Sequence, residues 1–363
     1  MQVAIVGAGI IGYAVAHELA TRGAHVQLFD PRGSGQGATR ASAGILAPHV
    51  EGHTSELLHL ARCSLDRYDA FVQQVTAQSR RSIEYRRLGT LQVARTEEEE
   101  RTLEETSRAL TRRVATHICL DGEGVRRLEP SLAADVRAGL LVAEHGYVGV
   151  ATLMAALEEA TRKQGVALER SAVDRIEVTD SPIVHAGRQQ VAVDAVVLAA
   201  GSWSGRVPIA HLPAPPVRPV RGQLLQLRFA NPPLTHIVWG SAAYLVPWTD
   251  GSLLVGATVE DVGFDDRVTA AGVHDLLDAA SALLPPASAA GFVEARAGLR
   301  PATTDELPIV GRSSTMRGVY YATGHYRNGV LLAPLTASLL ADLVLEGREH
   351  EELALMRPDR FAL

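Results

Sequence analysis

The sequence predicts an α/β protein of two domains. One is a doubly wound, Rossmann-like nucleotide domain, and the other an α+β domain built on a large antiparallel sheet. Three observations carry this. An apolar run, a G-x-G-x-x-G turn and a helical stretch follow one another at the N-terminus. A strongly apolar stretch, 191–200, runs into a turn of small residues. Beyond residue 215, strand-like segments follow one another with a single helical interruption, as an antiparallel sheet requires. Of 363 residues, 47% are hydrophobic, enough for a two-domain core.

Residues 2–6, QVAIV, read as a buried parallel strand. The turn Gly7-Ala8-Gly9-Ile10-Ile11-Gly12 follows, then a helix over 13–22, a stop at Gly23 and a second strand over 24–29. In this setting Gly7 permits the tight turn and Gly9 lets the backbone approach a pyrophosphate. Gly12 lets helix and strand pack closely, and the helix start offers free N–H groups to phosphates. Asp30, 18 residues past Gly12, stands where a carboxylate accepts from ribose hydroxyls. The motif alone leaves NAD and FAD open.

The stretch GSGQGATRASAGILAP, 33–48, can lie flat against an extended ligand. A helix is expected from Ser55 past Phe71, and a strand over 88–93. Thr96 and Glu99 form a capping box, so the acidic run 97–100 reads as a solvated first helical turn. A helix over 152–164 stops at Gly165, followed by strands over 166–170, 172–178 and 191–200. The last ends in GSWSG, where Trp203 occupies the place a nucleophilic serine would need, so a hydrolase elbow is discarded.

Pro213, Pro215, Pro216 and Pro219 mark a crossing between domains. Strands are then expected over 223–229, 244–247, 252–256 and 292–299, with one helix over 273–284. The expected division is 1–84, 142–214 and 301–363 in the nucleotide domain, and 85–141 and 215–300 in the substrate domain. The apolar helix 330–345 carries Pro334 and Asp342 and is expected to fall short of a membrane span.

A net charge of -6 without a basic stripe argues against a nucleic-acid partner. No amphipathic basic segment suggests a membrane partner. The only cysteines, Cys63 and Cys119, form neither a disulfide framework nor a zinc pattern, which suits a reducing cytoplasm. The N-terminus lacks a basic n-region and reads as structure, not as a signal peptide. Gly52 between His49 and His53 weakens a helical face, and no acidic or cysteine ligand completes a set with them and His59, so no metal is expected.

With GHYRNGVLLAP at 324–334 added, the chain resembles the FAD-dependent D-amino acid oxidase family, and within it the glycine oxidase branch that serves thiamine thiazole synthesis. The carriers are Gly7 to Gly12 with Asp30, ASAGILAP at 41–48, LAAGSWSG at 198–205, GLRPATTDELPIVG at 298–311 and GHYRNGVLLAP. The resemblance implies non-covalent FAD, since neither cysteine lies near Arg300. It implies FAD contacts at Gly7, Gly9, Ile10, Ile11, Gly12, Asp30 and Pro31. Thr39, Arg40, Ala41, Ala43, Gly44 and Leu46 would follow, the last three along the isoalloxazine ring. Val173 would meet the adenine, and Ala200, Gly201, Trp203 and Gly222 would complete the wall.

The turn and helix start at His325, Arg327, Asn328, Gly329, Val330 and Leu331 would face the flavin. Arg300, itself also at the flavin, would hold the substrate carboxylate. Tyr244 would add a hydrogen bond, and Arg327 would stand at the pocket. The implied reaction is oxidative deamination of glycine or a small D-amino acid or N-methyl amine, with dioxygen as oxidant. Ala242 and Val259 are shorter than the family's side chains at those positions, which leaves sarcosine, D-alanine and D-proline open beside glycine. A dehydrogenase of the same fold with another electron acceptor also stays open, as does a homo-oligomer.

Overall fold

The computed structural model describes residues 1–50, 54–113 and 115–363. Its first sheet has six strands in the order Ile309–Arg312, Val319–Thr323, Ala195–Leu198, Gln2–Val6, His25–Phe29 and Ala167–Glu169. All junctions are parallel except the outermost, between Ile309–Arg312 and Val319–Thr323. The central strand, Gln2–Val6, is apolar and buried beyond its first residue, as a strand covered on both faces must be.

The helices Ile10–Thr21 and Gly329–Glu346 pack in one apolar core beside this sheet. The second is 18 residues long with a mean hydropathy of 1.7, long and apolar enough to cross a membrane, contrary to expectation. Here, however, 78% of it is buried inside the protein. Pro334 lies within it, and a proline cannot donate to the carbonyl four residues earlier. That carbonyl, Val330, instead accepts from the Tyr68 hydroxyl at 2.5 Å. The Ser64 hydroxyl donates to the Leu331 carbonyl at 2.6 Å and accepts from Leu335 N–H at 3.3 Å. A neighbouring helical segment thus satisfies the backbone groups the proline leaves open.

The second sheet has eight strands: Gly291–Ala302, Arg218–Arg228, Ser252–Gly256, Tyr244–Pro247, Ile237–Trp239, Thr90–Ala94, Ala138–Val142 and Ile118–Asp121. It is antiparallel except where Ile237–Trp239 meets Thr90–Ala94 in parallel. Those two strands come from separate excursions of the chain, so no hairpin sets their direction. A small sheet of Ile45–Leu46, Gly146–Val148 and Tyr85–Arg86 adds a further layer.

Several expected elements shift. The helix from Ser55 is broken at Asp66 and Arg67 into Ser55–Leu65 and Tyr68–Ser79. The apolar stretch 191–200 is two strands. Gln189–Ala192 belongs to a small antiparallel sheet and Ala195–Leu198 to the parallel one, and Asp194 between them accepts from Gln2 N–H at 2.7 Å. The strand expected over 172–178 begins at Arg175. An unexpected helix, Gly122–Leu128, is capped by Asp121, and its two glycines hide it in the sequence. The Thr96/Glu99 capping box is present.

Candidate active site

A deep cleft opens between the two large sheets, with about 1690 Å³ of space free of protein atoms, its solvent mouth included. Its lining runs from the glycine turn at Gly7 to Arg300 and Tyr244, so one cleft joins residues of both sheets. Its first wall is the glycine turn. Gly7 has φ +114, and a Cβ there would stand 2.2 Å from the Ala199 carbonyl oxygen. At Gly12 a Cβ would stand 1.9 Å from the Gly7 carbonyl oxygen. Gly9 differs: a Cβ would meet only Thr39 Oγ1, at 3.3 Å, and the residue borders the cleft. Gly9 caps the helix Ile10–Thr21 without a side chain, and the Ile10 N–H donates to the Thr39 hydroxyl at 3.1 Å.

Asp30 borders the cleft and accepts from Ala8 N–H at 3.0 Å and Arg32 N–H at 2.9 Å. Two carboxylate oxygens can accept about four hydrogen bonds, so capacity for ribose hydroxyls is left. Arg32 lies 3.6 Å over the Trp203 ring, Trp203 leans on Phe264, and Arg206 lies 3.5 Å over Phe264. This stack joins the nucleotide side of the cleft to the segment 257–269.

The other end of the cleft is set by the strand Gly291–Ala302 and its neighbours. Arg300 Nη1 donates to the carbonyls of Thr258 (3.0 Å) and Arg221 (3.3 Å). Its guanidinium lies against Gly222, where a Cβ would come within 2.2 Å of it. The Tyr244 ring lies in the same way on Gly256, where a Cβ would be 2.3 Å from the phenol oxygen. Two glycines thus floor the two side chains expected to grip a carboxylate. Trp239 packs on Tyr244 with ring centres 5.1 Å apart.

The turn 324–329 is pinned here by Tyr326 N–H donating to the Pro301 carbonyl at 2.9 Å. Gly324 (φ +73) and Tyr326 (φ +47) hold left-handed conformations that reverse the chain. Arg327 borders the cleft, with its guanidinium 5.2 Å from the Tyr326 ring centre. His325 is buried, bonds Thr336 at 3.1 Å, and burial pushes its pKa down to about 3, so it stays neutral.

Of the residues expected at the cofactor, Gly7, Gly9, Ile10, Ile11, Asp30, Thr39, Ala41 and Ala43 border the cleft. So do Ala200, Gly201, Trp203, Arg300, His325, Arg327, Gly329 and Val330, together with Tyr244 at the substrate end. Gly12, Pro31, Arg40, Gly44, Leu46, Val173, Gly222, Asn328 and Leu331 stand outside its lining. Gly44 is needed where the chain meets Val148: a Cβ would be 1.9 Å from that carbonyl oxygen. Leu46 and Leu331 are core residues, and Val173 packs on a neighbouring apolar cluster. Arg40 gives its carbonyl to Arg296, Asn328 gives its own to Leu332 N–H, and Pro31 is exposed. Arg32, Trp239 and Tyr326 border the cleft without having been anticipated. Trp239 lies on the strand Ile237–Trp239, which pairs antiparallel with Tyr244–Pro247 and was not expected from the sequence.

His49 meets a histidine from a distant part of the chain. Its Nδ1 lies 3.0 Å from His145 Nε2 and 3.2 Å from Glu144. Glu144 and His145 reach it from a distant hairpin. His59 pairs with Cys63, and His53 lies outside the described residues.

Fold and cleft together define an oxidoreductase of the dinucleotide-binding α/β type, with Arg300 and Tyr244 at the end of the cleft away from the glycine turn. The chain belongs to the family of FAD dependent oxidoreductases (DAO), which it matches over residues 2–343. It is 36% identical over 358 residues to a glycine oxidase of Geobacillus kaustophilus, covering 94% of this chain and 92% of that one. The crystal structure of glycine oxidase from Geobacillus kaustophilus superposes with a TM-score of 0.93 at 34% identity and 98% coverage of both chains. A bifunctional protein ThiO/ThiG of Synechocystis is 34% identical over 99% of this chain, which spans 54% of that longer protein. The cofactor is FAD, and the tight turn at Gly7 and Gly12, the open face of Gly9 and Asp30 at the cleft border fit it.

Proposed function

We propose that this chain oxidises glycine and similarly small amino acids and amines, and that it supplies thiazole formation in thiamine biosynthesis. FAD, which the glycine turn 7–12 and Asp30 would hold, would supply the two-electron redox chemistry between the substrate and dioxygen. Glycine, water and dioxygen then give glyoxylate, ammonia and hydrogen peroxide. Arg300 holds the carboxylate as a charge-assisted pair, with Tyr244 adding a hydrogen bond. Because the guanidinium is itself tied to two carbonyls, the bound acid is placed with little freedom, and orientation carries much of the rate. Arg327 adds positive charge at the same end. Ala242 and exposed Val259 leave that end wide, so sarcosine, D-alanine and D-proline are accepted beside glycine.

The observation that carries this reading is Arg300 lying on Gly222 at the substrate end of the cleft. The glycine-oxidase relatives support it. Anaerobic mixing of the yellow protein with each of the four amines, ranked by bleaching of the flavin, tests it. Peroxide formed under air then identifies dioxygen as acceptor, and Arg300→Lys should raise the glycine KM strongly with FAD retained. Unchanged kinetics in Arg300→Lys would remove Arg300 from the site.

A further inference from the structure

Arg300 is held by carbonyls, and those carbonyls must themselves be held. They belong to Arg221, on the strand Arg218–Arg228, and to Thr258, at the start of the segment 257–269. One side chain ties the two together. Glu260 Oε2 accepts from Arg221 Nη2 at 2.5 Å and Nε at 3.2 Å. Glu260 Oε1 accepts from the Thr258 hydroxyl at 2.5 Å and from Gln223 Nε2 at 2.7 Å. The backbones of Arg221 and Glu260 exchange two further bonds, at 2.9 and 3.0 Å. Arg221 is only 4% exposed and also pairs with Asp265 at 3.1 Å. Gln223 receives Thr269 N–H at 2.8 Å and so fastens the far end of the segment.

We propose that Glu260 is a positioning residue for substrate binding: it locks the carbonyls of Thr258 and Arg221 in the places that aim the Arg300 guanidinium. The inference rests on the reading of Arg300 as the carboxylate holder. Glu260 does not line the cleft, so it acts through Arg300 and not on the substrate. Burial pushes its carboxyl up, but the bonds from Arg221, Thr258 and Gln223 outweigh this and hold it at about 2. The carboxylate is therefore charged throughout the working range. It gathers four donors from three residues that flank both carbonyls, an arrangement a single exposed ion pair would not need.

The test is Glu260→Gln in the FAD-loaded enzyme, which keeps the side chain's size but removes the charge and one acceptor. Asp265 still pairs Arg221, so the fold should persist. Misplacing a substrate clamp by an ångström costs up to about a hundredfold, so a tenfold or larger rise in the glycine KM is expected with a smaller change in kcat. Acetate, a carboxylate that cannot be oxidised, should weaken in parallel when its binding is read from the flavin spectrum. FAD retention and Tm should change little.

In an Arg300→Lys background the same substitution should have almost no effect on acetate binding. An equal effect in both backgrounds, or unchanged glycine KM and acetate binding in Glu260→Gln alone, would overturn the proposal. If Arg300→Lys itself changes nothing, the reading of Arg300 fails instead. Should Glu260→Gln not fold, Thr258→Val decides: it keeps the carbonyl and removes the hydroxyl bond, and weaker acetate binding is expected, while unchanged binding overturns the inference.

Discussion

Gly222→Ala is a substitution of one methyl group whose effect can be worked from the structure. Its Cβ would stand 2.2 Å from Arg300 Nη2 and 2.3 Å from Cζ and Nη1, whereas real Cβ atoms essentially never approach a heavy atom within 3.0 Å. The guanidinium must therefore shift by roughly an ångström to reach ordinary contact. The bonds from Nη1 to Thr258 and Arg221, at 3.0 and 3.3 Å, cannot both survive that shift. A displacement of this size in a substrate clamp costs up to about 10²-fold, equivalent to about 2.7 kcal/mol of transition-state stabilisation. Peroxide production with glycine, measured over a substrate series, should show kcat/KM down by about one to two orders of magnitude. The purified protein should remain yellow, because Gly222 lies outside the cleft lining. Kinetics within about threefold of the parent would refute the claim that Arg300 needs this floor.

Other perturbations address the cofactor end and the core. Gly9→Val should give a folded protein that purifies colourless, since its new side chain meets only Thr39 and otherwise projects into the cleft; full flavin content by absorbance would contradict this. Tyr68→Phe should lower the unfolding free energy by about 1–3 kcal/mol in denaturant titration, by leaving the buried Val330 carbonyl unsatisfied beside Pro334. His325 binds its proton less readily folded (pKa about 3) than unfolded (about 6.5), so its contribution is whole above pH ~6.5 and is lost as pH falls toward 3. Buried His17, whose pKa is also lowered by burial, acts in the same sense. Stability should therefore fall by up to about 1.4 kcal/mol per pH unit for His325 alone, and His325→Gln should flatten that slope.

The nucleotide half of the fold was legible because its signals are local. Gly7, Gly9, Gly12, Gly23 and Asp30 occur within thirty residues, and at Gly7, Gly12 and Gly23 the backbone itself demands glycine. The GHYRNG turn was legible in the same way, through glycines that bracket it. What escaped depends on distant pairing. The parallel junction at Ile237–Trp239, the break after Leu65 and the meeting of His49 with His145 are decided by neighbours far along the chain. Gly222 illustrates the limit at the site. A glycine at the pocket could be expected, but only the pairing of Gly222 with Gly298 across two strands shows that its partner is the Arg300 side chain.

The order of strands in the first sheet bears on biogenesis. Gln2–Val6 is synthesised early, yet its neighbour Ala195–Leu198 arrives nearly two hundred residues later, and Val319–Thr323 later still. Until then the Gln2–Val6 edge of the N-terminal βαβ unit is uncovered, and its apolar helix lacks Gly329–Glu346, with which it shares the finished core. At translation speeds of about 5–20 residues per second this lasts on the order of half a minute. Such non-local closure makes acquisition of the native state late and slow. An N-terminal half expressed alone should accordingly be a client of chaperones and not a folded domain.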